Sequence, residues 1–173
     1  MKCYEPIRVQ YDLLMAKTSP RNKQKWLGYK YGRIAGDIWI FPNDYMAYVI
    51  PEEEFYLDIE KVFDDKNPVN LEHLYKESQQ AEGAYFVELK HIREEGKGFK
   101  SVEVYKQTEG PGSVWIDTQF TKGFNMLCCK YGMIDSKRPL FIYAEDTMRL
   151  IGVVLPIAHH GNDTIEKHEN LHL

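Results

Sequence analysis

Apolar residues recur along the chain in two periods, near 3.6 and near 2, and the switches between them mark the elements. In residues 9–17, Leu13, Leu14 and Lys17 fall at helical spacing, and Thr18, Ser19 and Pro20 end the run, so a short helix is predicted. The aromatic stretch 26–31 reads as a strand. Residues 37–41 and 45–50 are two apolar strands around the turn residues Pro42, Asn43 and Asp44, and Pro51 closes the hairpin. Residues 52–65 are acidic with interspersed Phe55, Leu57, Ile59, Val62 and Phe63, a pattern that fits either an edge strand or an amphipathic connection. Asn70 can cap a helix over 71–81, with Leu71, Leu74 and Tyr75 on one side and Gly83 as a stop.

Strict alternation returns in 84–92, with Tyr85, Val87 and Leu89 on one face, and in 99–105, with Val102 and Val104 on one face. The Gly96-to-Gly98 link between them predicts an antiparallel pair. Gly110, Pro111 and Gly112 interrupt the chain before a strand over 114–120. Thr121 can then cap a helix that carries Phe124, Leu127, Cys128 and Tyr131 on one side and runs to Gly132. Residues 140–143 and 150–155, around Glu145 and Asp146, form a second hairpin that ends at Pro156.

These elements predict an α+β fold, a mostly antiparallel sheet of seven to nine strands with two or three helices packed on it. The expected core comprises Leu13, Leu14, Trp39, Phe41, Val49, Val87, Val104, Trp115, Phe124, Leu127, Phe141, Ile151, Val153 and Leu155. One globular domain is expected over residues 1–158, with a polar, mobile tail over 159–173.

Composition agrees with a packed chain. Of its 173 residues, 43% are apolar and 13% aromatic, enough for a core without disulfides or metals. No apolar run approaches the ~20 residues that span a bilayer, and residues 1–20 lack the apolar centre of a secretory signal, so no membrane partner and a cytoplasmic location are expected. The three cysteines, Cys3, Cys128 and Cys129, are odd in number and two are adjacent, so reduced thiols are expected. In the predicted helix Cys128 lies on the core side and Cys129 outside it.

Charge is segregated. Through Arg33 there are eight Lys and Arg against two Asp and Glu; between Ile34 and Lys66 there are nine Asp and Glu against two Lys. Such asymmetry marks a candidate polyanion surface, and Arg21, Lys23 and Lys25 beside Trp26 and Tyr29 combine cations for phosphates with aromatic rings for stacking. Catalytic signatures are missing. There is no Gly-x-Ser-x-Gly elbow, Cys-x-x-Cys or His-Glu-x-x-His, and the stretch from Gly96 to Ser101 lacks phosphate-loop spacing. His159, His160, His168 and His172 sit in the polar tail without orienting neighbours, so neither a metal nor another cofactor is expected.

The order helix, strand, strand-turn-strand, given over residues 9–51 and again over 114–156 and ending in the Leu150-Ile-Gly-Val-Val-Leu-Pro156 run, resembles the half-domain unit of DNA sliding clamps. That resemblance implies two units in one sheet, helices facing DNA and no catalytic residues. It would place Lys17, Arg21, Lys23 and Lys25 near the first helix, and Lys122 and Lys130 on the second, as DNA-facing cations. A non-enzymatic binding or assembly protein with DNA as a candidate partner is the expectation. The alternatives are an interaction module that dimerises or captures a peptide through a sheet edge, and an enzyme whose site assembles from scattered residues.

Overall fold

A computed structural model of the chain describes residues 2–94 and 98–157. The fold is α+β, one nine-stranded antiparallel sheet in the order β1-β2-β3-β9-β8-β7-β4-β5-β6, with four short helices. The link at Gly96 and Lys97, and the tail with its histidines from His159 onward, lie outside the described residues.

Helix α1 (Pro6–Thr18) begins with Pro6 in its first turn, where the missing N–H costs no helical bond. It buries Val9, Leu13 and Ala16, and Pro20 prevents its continuation. Leu14 lies on the outer side, 38% exposed, contrary to the expected core. The stretch expected as a strand from Trp26 begins instead as α2 (Lys23–Gly28), because Trp26 and Tyr29 stack on each other and Trp26 also stacks on Phe63.

Strands β1 (Lys30–Ile34) and β2 (Asp37–Asn43) meet in a two-residue turn. Ala35 and Gly36 both have positive φ, 52° and 79°, the conformation that matches the twist of a tight hairpin. In the β2–β3 turn the Tyr45 N–H donates to Asn43 Oδ1 at 2.8 Å, and β3 (Met46–Pro51) returns as expected. Of the two alternatives for the acidic segment, the amphipathic connection is found and the edge strand is not: it holds a 3-10 turn (Glu52–Glu54) and the single turn α3 (Ile59–Val62), whose Ile59, Val62 and following Phe63 are buried under α1 and α2.

Helix α4 (Glu72–Gln80) starts where the Glu72 N–H donates to Asn70 Oδ1, 3.0 Å. Gly83 is not its stop but part of β4 (Glu82–Glu94), which pairs with β5 (Gly98–Gln107) as expected. Strand β6 (Ser113–Asp117) follows.

The helix expected from Thr121 to Gly132 does not form. Two 3-10 turns (Thr118–Phe120 and Met126–Cys128) lead instead into β7 (Cys129–Met133), where Cys129 and Met133 are buried at strand spacing. Leu127 is consequently 91% exposed, Cys129 is the buried neighbour and Cys128 is only partly buried. The hairpin β8 (Leu140–Ala144) and β9 (Leu150–Val154) forms as predicted, with Leu155 just beyond it 38% exposed.

The two strong hairpins share one sheet and meet where β3 pairs with β9, Ala47 opposite Val153. The second lacks the helix that would make it a copy of the first. One face of the sheet carries Tyr31, Ile38, Ile40 and Ile50 under α1, α2 and α3. The opposite face packs Trp39, Val49, Phe141 and Val153 against Leu71 and Leu74 of the α4 segment.

Beyond β7 the sheet curls. Phe120, just after β6, stacks on Tyr45 of the β2–β3 turn, and the Ile157 N–H donates to Trp115 O at 2.8 Å. Tyr105, Val114, Ile116, Met133, Leu140, Ile142, Ile151 and Val154 fill the inside of that curl. Each fully buried side chain of this size contributes about 1.5–3 kcal/mol.

Candidate interaction site

The segregated charges turn out to face one another. Lys17 lies 2.6 Å from Asp64 and 3.3 Å from Asp65, and the Asp64 hydrogen bond raises its pKa. Asp65 also accepts the Trp26 indole N–H at 2.9 Å, and that bond, with Lys17 beside it, lowers its own pKa. Lys30 pairs with Asp44 at 2.6 Å, and Arg33 with Glu52 and Glu60 at 3.5 and 3.2 Å. Lys66 caps the end of α2 by donating to the carbonyls of Trp26 and Tyr29. Three of the eight cations in the basic arm, Lys17, Lys30 and Arg33, are thus paired with the acidic segment that follows it.

The six cations expected to face DNA do not share a surface. Arg21, Lys23 and Lys25 are exposed beyond the C-terminal end of α1 and make no ion pair among the described residues. Lys122 is exposed in the loop before β7 and lines a cleft of about 390 Å³ with Lys2, Glu5, Arg8 and Asp12, toward the other end of α1. Lys130 is on a strand, not a helix. It is opposite Tyr143 on the α4 side of the sheet and 3.8 Å from Glu145. Lys130 therefore points away from the helices α1 and α2, and Lys17 is held by two carboxylates.

Strand edges offer a different surface. The outer edge of β1 is met by the Val69 N–H, which donates to Tyr31 O at 2.8 Å, and that of β6 by Ile157. Strand β4 is the exception. Its pairing with β7 covers only Glu82 to Ala84, and no described strand continues along that side. The stretch left open carries Tyr85, Phe86, Val87 and Leu89, each 45–53% exposed, which places Val87 outside the core expected for it.

A β-bulge at Val87, between the Phe86–Tyr105 and Glu88–Val104 pairs, puts Glu88 and Lys90 on the face with Val104 and Trp115, and Leu89 on the face with Glu103. Lys90 lies 3.1 Å from Glu88 and 4.9 Å from the centre of the Trp115 ring. Unpaired N–H and C=O groups beside exposed apolar side chains form a template for another strand, and a bulge and charged residues limit what can add to it. Alternation in the sequence had assigned Tyr85, Val87 and Leu89 to a face. It carries no signal for whether a neighbouring strand lies alongside.

No cluster of three or more His, Cys, Asp or Glu side chains that could hold a metal occurs among the described residues. Burial pushes the Cys129 thiol up to about 12, so it must lose its proton before it can attack. No helix is long and apolar enough to cross a membrane among the described residues. No known protein family, curated protein or solved structure matches the chain.

Proposed function

We propose that the chain is an assembly protein that pairs with a second copy of itself through the open edge of β4. The observation that carries this reading is the combination of a strand edge left uncovered among the described residues, four exposed apolar side chains and one charge pair in a self-complementary position. Backbone groups that point away from β5 alternate along β4, so two copies related by a two-fold axis can pair only in every second register. An axis at Leu89 sets Glu88 opposite Lys90 of the second copy, twice. An axis at Glu88 or at Lys90 sets like charges together, one at Val87 leaves both charges facing apolar residues, and one at His91 sets Glu88 opposite Glu94. Of these five registers only that at Leu89 matches opposite charges, and opposite charges directly across an antiparallel pair stabilise it while like charges oppose it.

Sedimentation tests this. The wild type is expected to dimerise with concentration, whereas Glu88→Lys and Lys90→Glu are each monomeric, because each sets two like-charged pairs across the axis. Mixing the two variants restores a dimer, and so does the double swap E88K/K90E within one chain. A wild type that stays monomeric at every attainable concentration, or variants that do not recover on mixing, would refute the pairing.

A second reading rests on Arg21, Lys23 and Lys25, which are exposed and carry no ion pair among the described residues. It is contact with DNA by this corner, the reading that the resemblance to sliding clamps suggested. Binding would be detectable at low salt and fall steeply as salt rises, and reversing all three charges would lower the logarithmic salt slope by about 3. Fluorescence anisotropy that shows the same salt dependence before and after the triple reversal would discard it.

A further inference from the structure

The three cysteines stand far apart in the chain and together in the fold. Cys3 lies in the segment before α1, and its thiol donates to Cys128 O at 2.7 Å, across 125 positions of sequence. The same segment is fastened a second time, since the Asn125 N–H donates to Cys3 O at 2.6 Å. Cys129 begins β7, its thiol donates to Asn125 O at 3.2 Å, and it lies within hydrogen-bonding reach of the Cys3 thiol. Both residues belong to the same buried cluster, with Phe124, Ala144 and Ile151 around them. Cys3 also borders two open clefts of about 390 and 570 Å³ that meet at Lys2, Cys3 and Tyr4. Cys3 and Cys129 are each only 8% exposed, and of the two it is Cys3 that lines the clefts, so a small molecule entering from solvent meets Cys3 first.

We propose that Cys3 and Cys129 form a thiol–disulfide exchange site that takes a low-molecular-weight disulfide and closes into an internal bridge. The Cys3 thiolate attacks one sulfur of the incoming disulfide, the S–S bond breaks, and one small thiolate leaves and takes up the proton that Cys3 released. The Cys129 sulfur, deprotonated by solvent base, then attacks Cys3 Sγ and expels the second small thiolate. Two protein thiols and one small disulfide are converted into one protein disulfide and two small thiols, with no other oxidant. The bridge ties the segment before α1 to the first residue of β7 and closes a loop that spans most of the chain, the kind of cross-link that most restricts an unfolded chain.

Adjacent Cys128 and Cys129 cannot be separated by a protease, so Cys128→Ser makes the assignment: in that variant any internal bridge joins Cys3 to Cys129. The full chain is incubated with oxidised glutathione and digested without reduction. Both the wild type and Cys128→Ser should yield the peptide of Cys3 linked to that of Cys129, with a mass lower by two hydrogen atoms. The thermal midpoint should rise by about 5 °C or more, reversibly on reduction. Cys3→Ser should yield neither the link nor the shift. Glutathione adducts without a link, or a link in the wild type that Cys128→Ser abolishes, would overturn the proposal.

Discussion

Gly152→Ala should destabilise the protein by about 3 kcal/mol, although replacing glycine in a strand ordinarily stabilises by up to ~1 kcal/mol through the unfolded chain. Gly152 lies in β9, between Tyr48 of β3 and Ile142 of β8, so the backbone is held on both sides. A methyl group there would stand 2.6 Å from Phe124 Cε1 and 3.2 Å from Cε2, and Cζ would be closer still. The ring has nowhere to go. It is 6% exposed, with its centroid 5.0 Å from that of Tyr48 and 6.2 Å from that of Tyr4.

A companion substitution separates this overlap from a general intolerance of β9. Phe124→Ala alone should cost about 3–5 kcal/mol for the lost packing. With the ring removed, the alanine at 152 has room, so the double variant should cost at least ~2 kcal/mol less than the two single effects combined. Urea denaturation of the four proteins measures this. Additive effects would show that Phe124 is not what the methyl group meets.

The same contact explains why part of the fold could not be read from the sequence. Phe124, Leu127, Cys128 and Tyr131 have helical spacing, yet Phe124 is buried because Gly152, nearly thirty residues on, leaves a hollow for its ring, and Leu127 has no such partner. Local periodicity was as compatible with a helix as with the strand spacing of Cys129, Tyr131 and Met133, and contacts distant in sequence decided between them. Trp26 and Tyr29 gave a strand-like composition, but Phe63 and Lys66 draw them into and around the end of a helix.

The two hairpins were legible because each is self-contained: apolar strands of sufficient length, turn residues between them and a proline after. The charge segregation was equally visible, but its meaning was not. A run of cations reads the same whether it awaits a phosphate or pairs with Asp64, Asp65, Glu52 and Glu60 further along the chain. The open β4 edge is illegible in the sequence for a related reason, since an alternating strand does not announce where its neighbour ends, and the pairing with β7 ends at Ala84.

Raising the pH should unfold the chain near pH ~11, through its buried tyrosines. Burial is the main cause that raises the pKa of Tyr4, Tyr29, Tyr48, Tyr105 and Tyr143 above the usual 10.0, to about 12 for Tyr29 and Tyr143. Three of the phenols are also engaged as donors, Tyr4 to Val49 O, Tyr105 to Glu103 and Tyr143 to Ser78 O, at 2.8, 2.6 and 2.8 Å. Between the usual pKa and the raised one the folded chain keeps a proton that the unfolded chain has released. Stability is therefore intact below pH ~10 and falls as pH rises through this window, by about 1.4 kcal/mol per tyrosine at one unit above the usual pKa. Tyr4, Tyr29, Tyr105 and Tyr143 together lose about 5–6 kcal/mol, comparable with the ~5–15 kcal/mol that holds a domain together, and Tyr48 adds to that loss. Tyr131 is raised for the same reason and adds to the loss. Tyrosinate absorbance from these groups should thus appear together with the loss of the strand circular dichroism signal, in one transition. Tyr143→Phe should reduce the pH slope of stability in this window by up to ~1.4 kcal/mol per unit, at a cost near neutrality of about 1 kcal/mol for the hydrogen bond to Ser78. If the phenols ionise reversibly while the strand signal persists, water reaches them in the folded chain, and the interior described for the sheet is not closed.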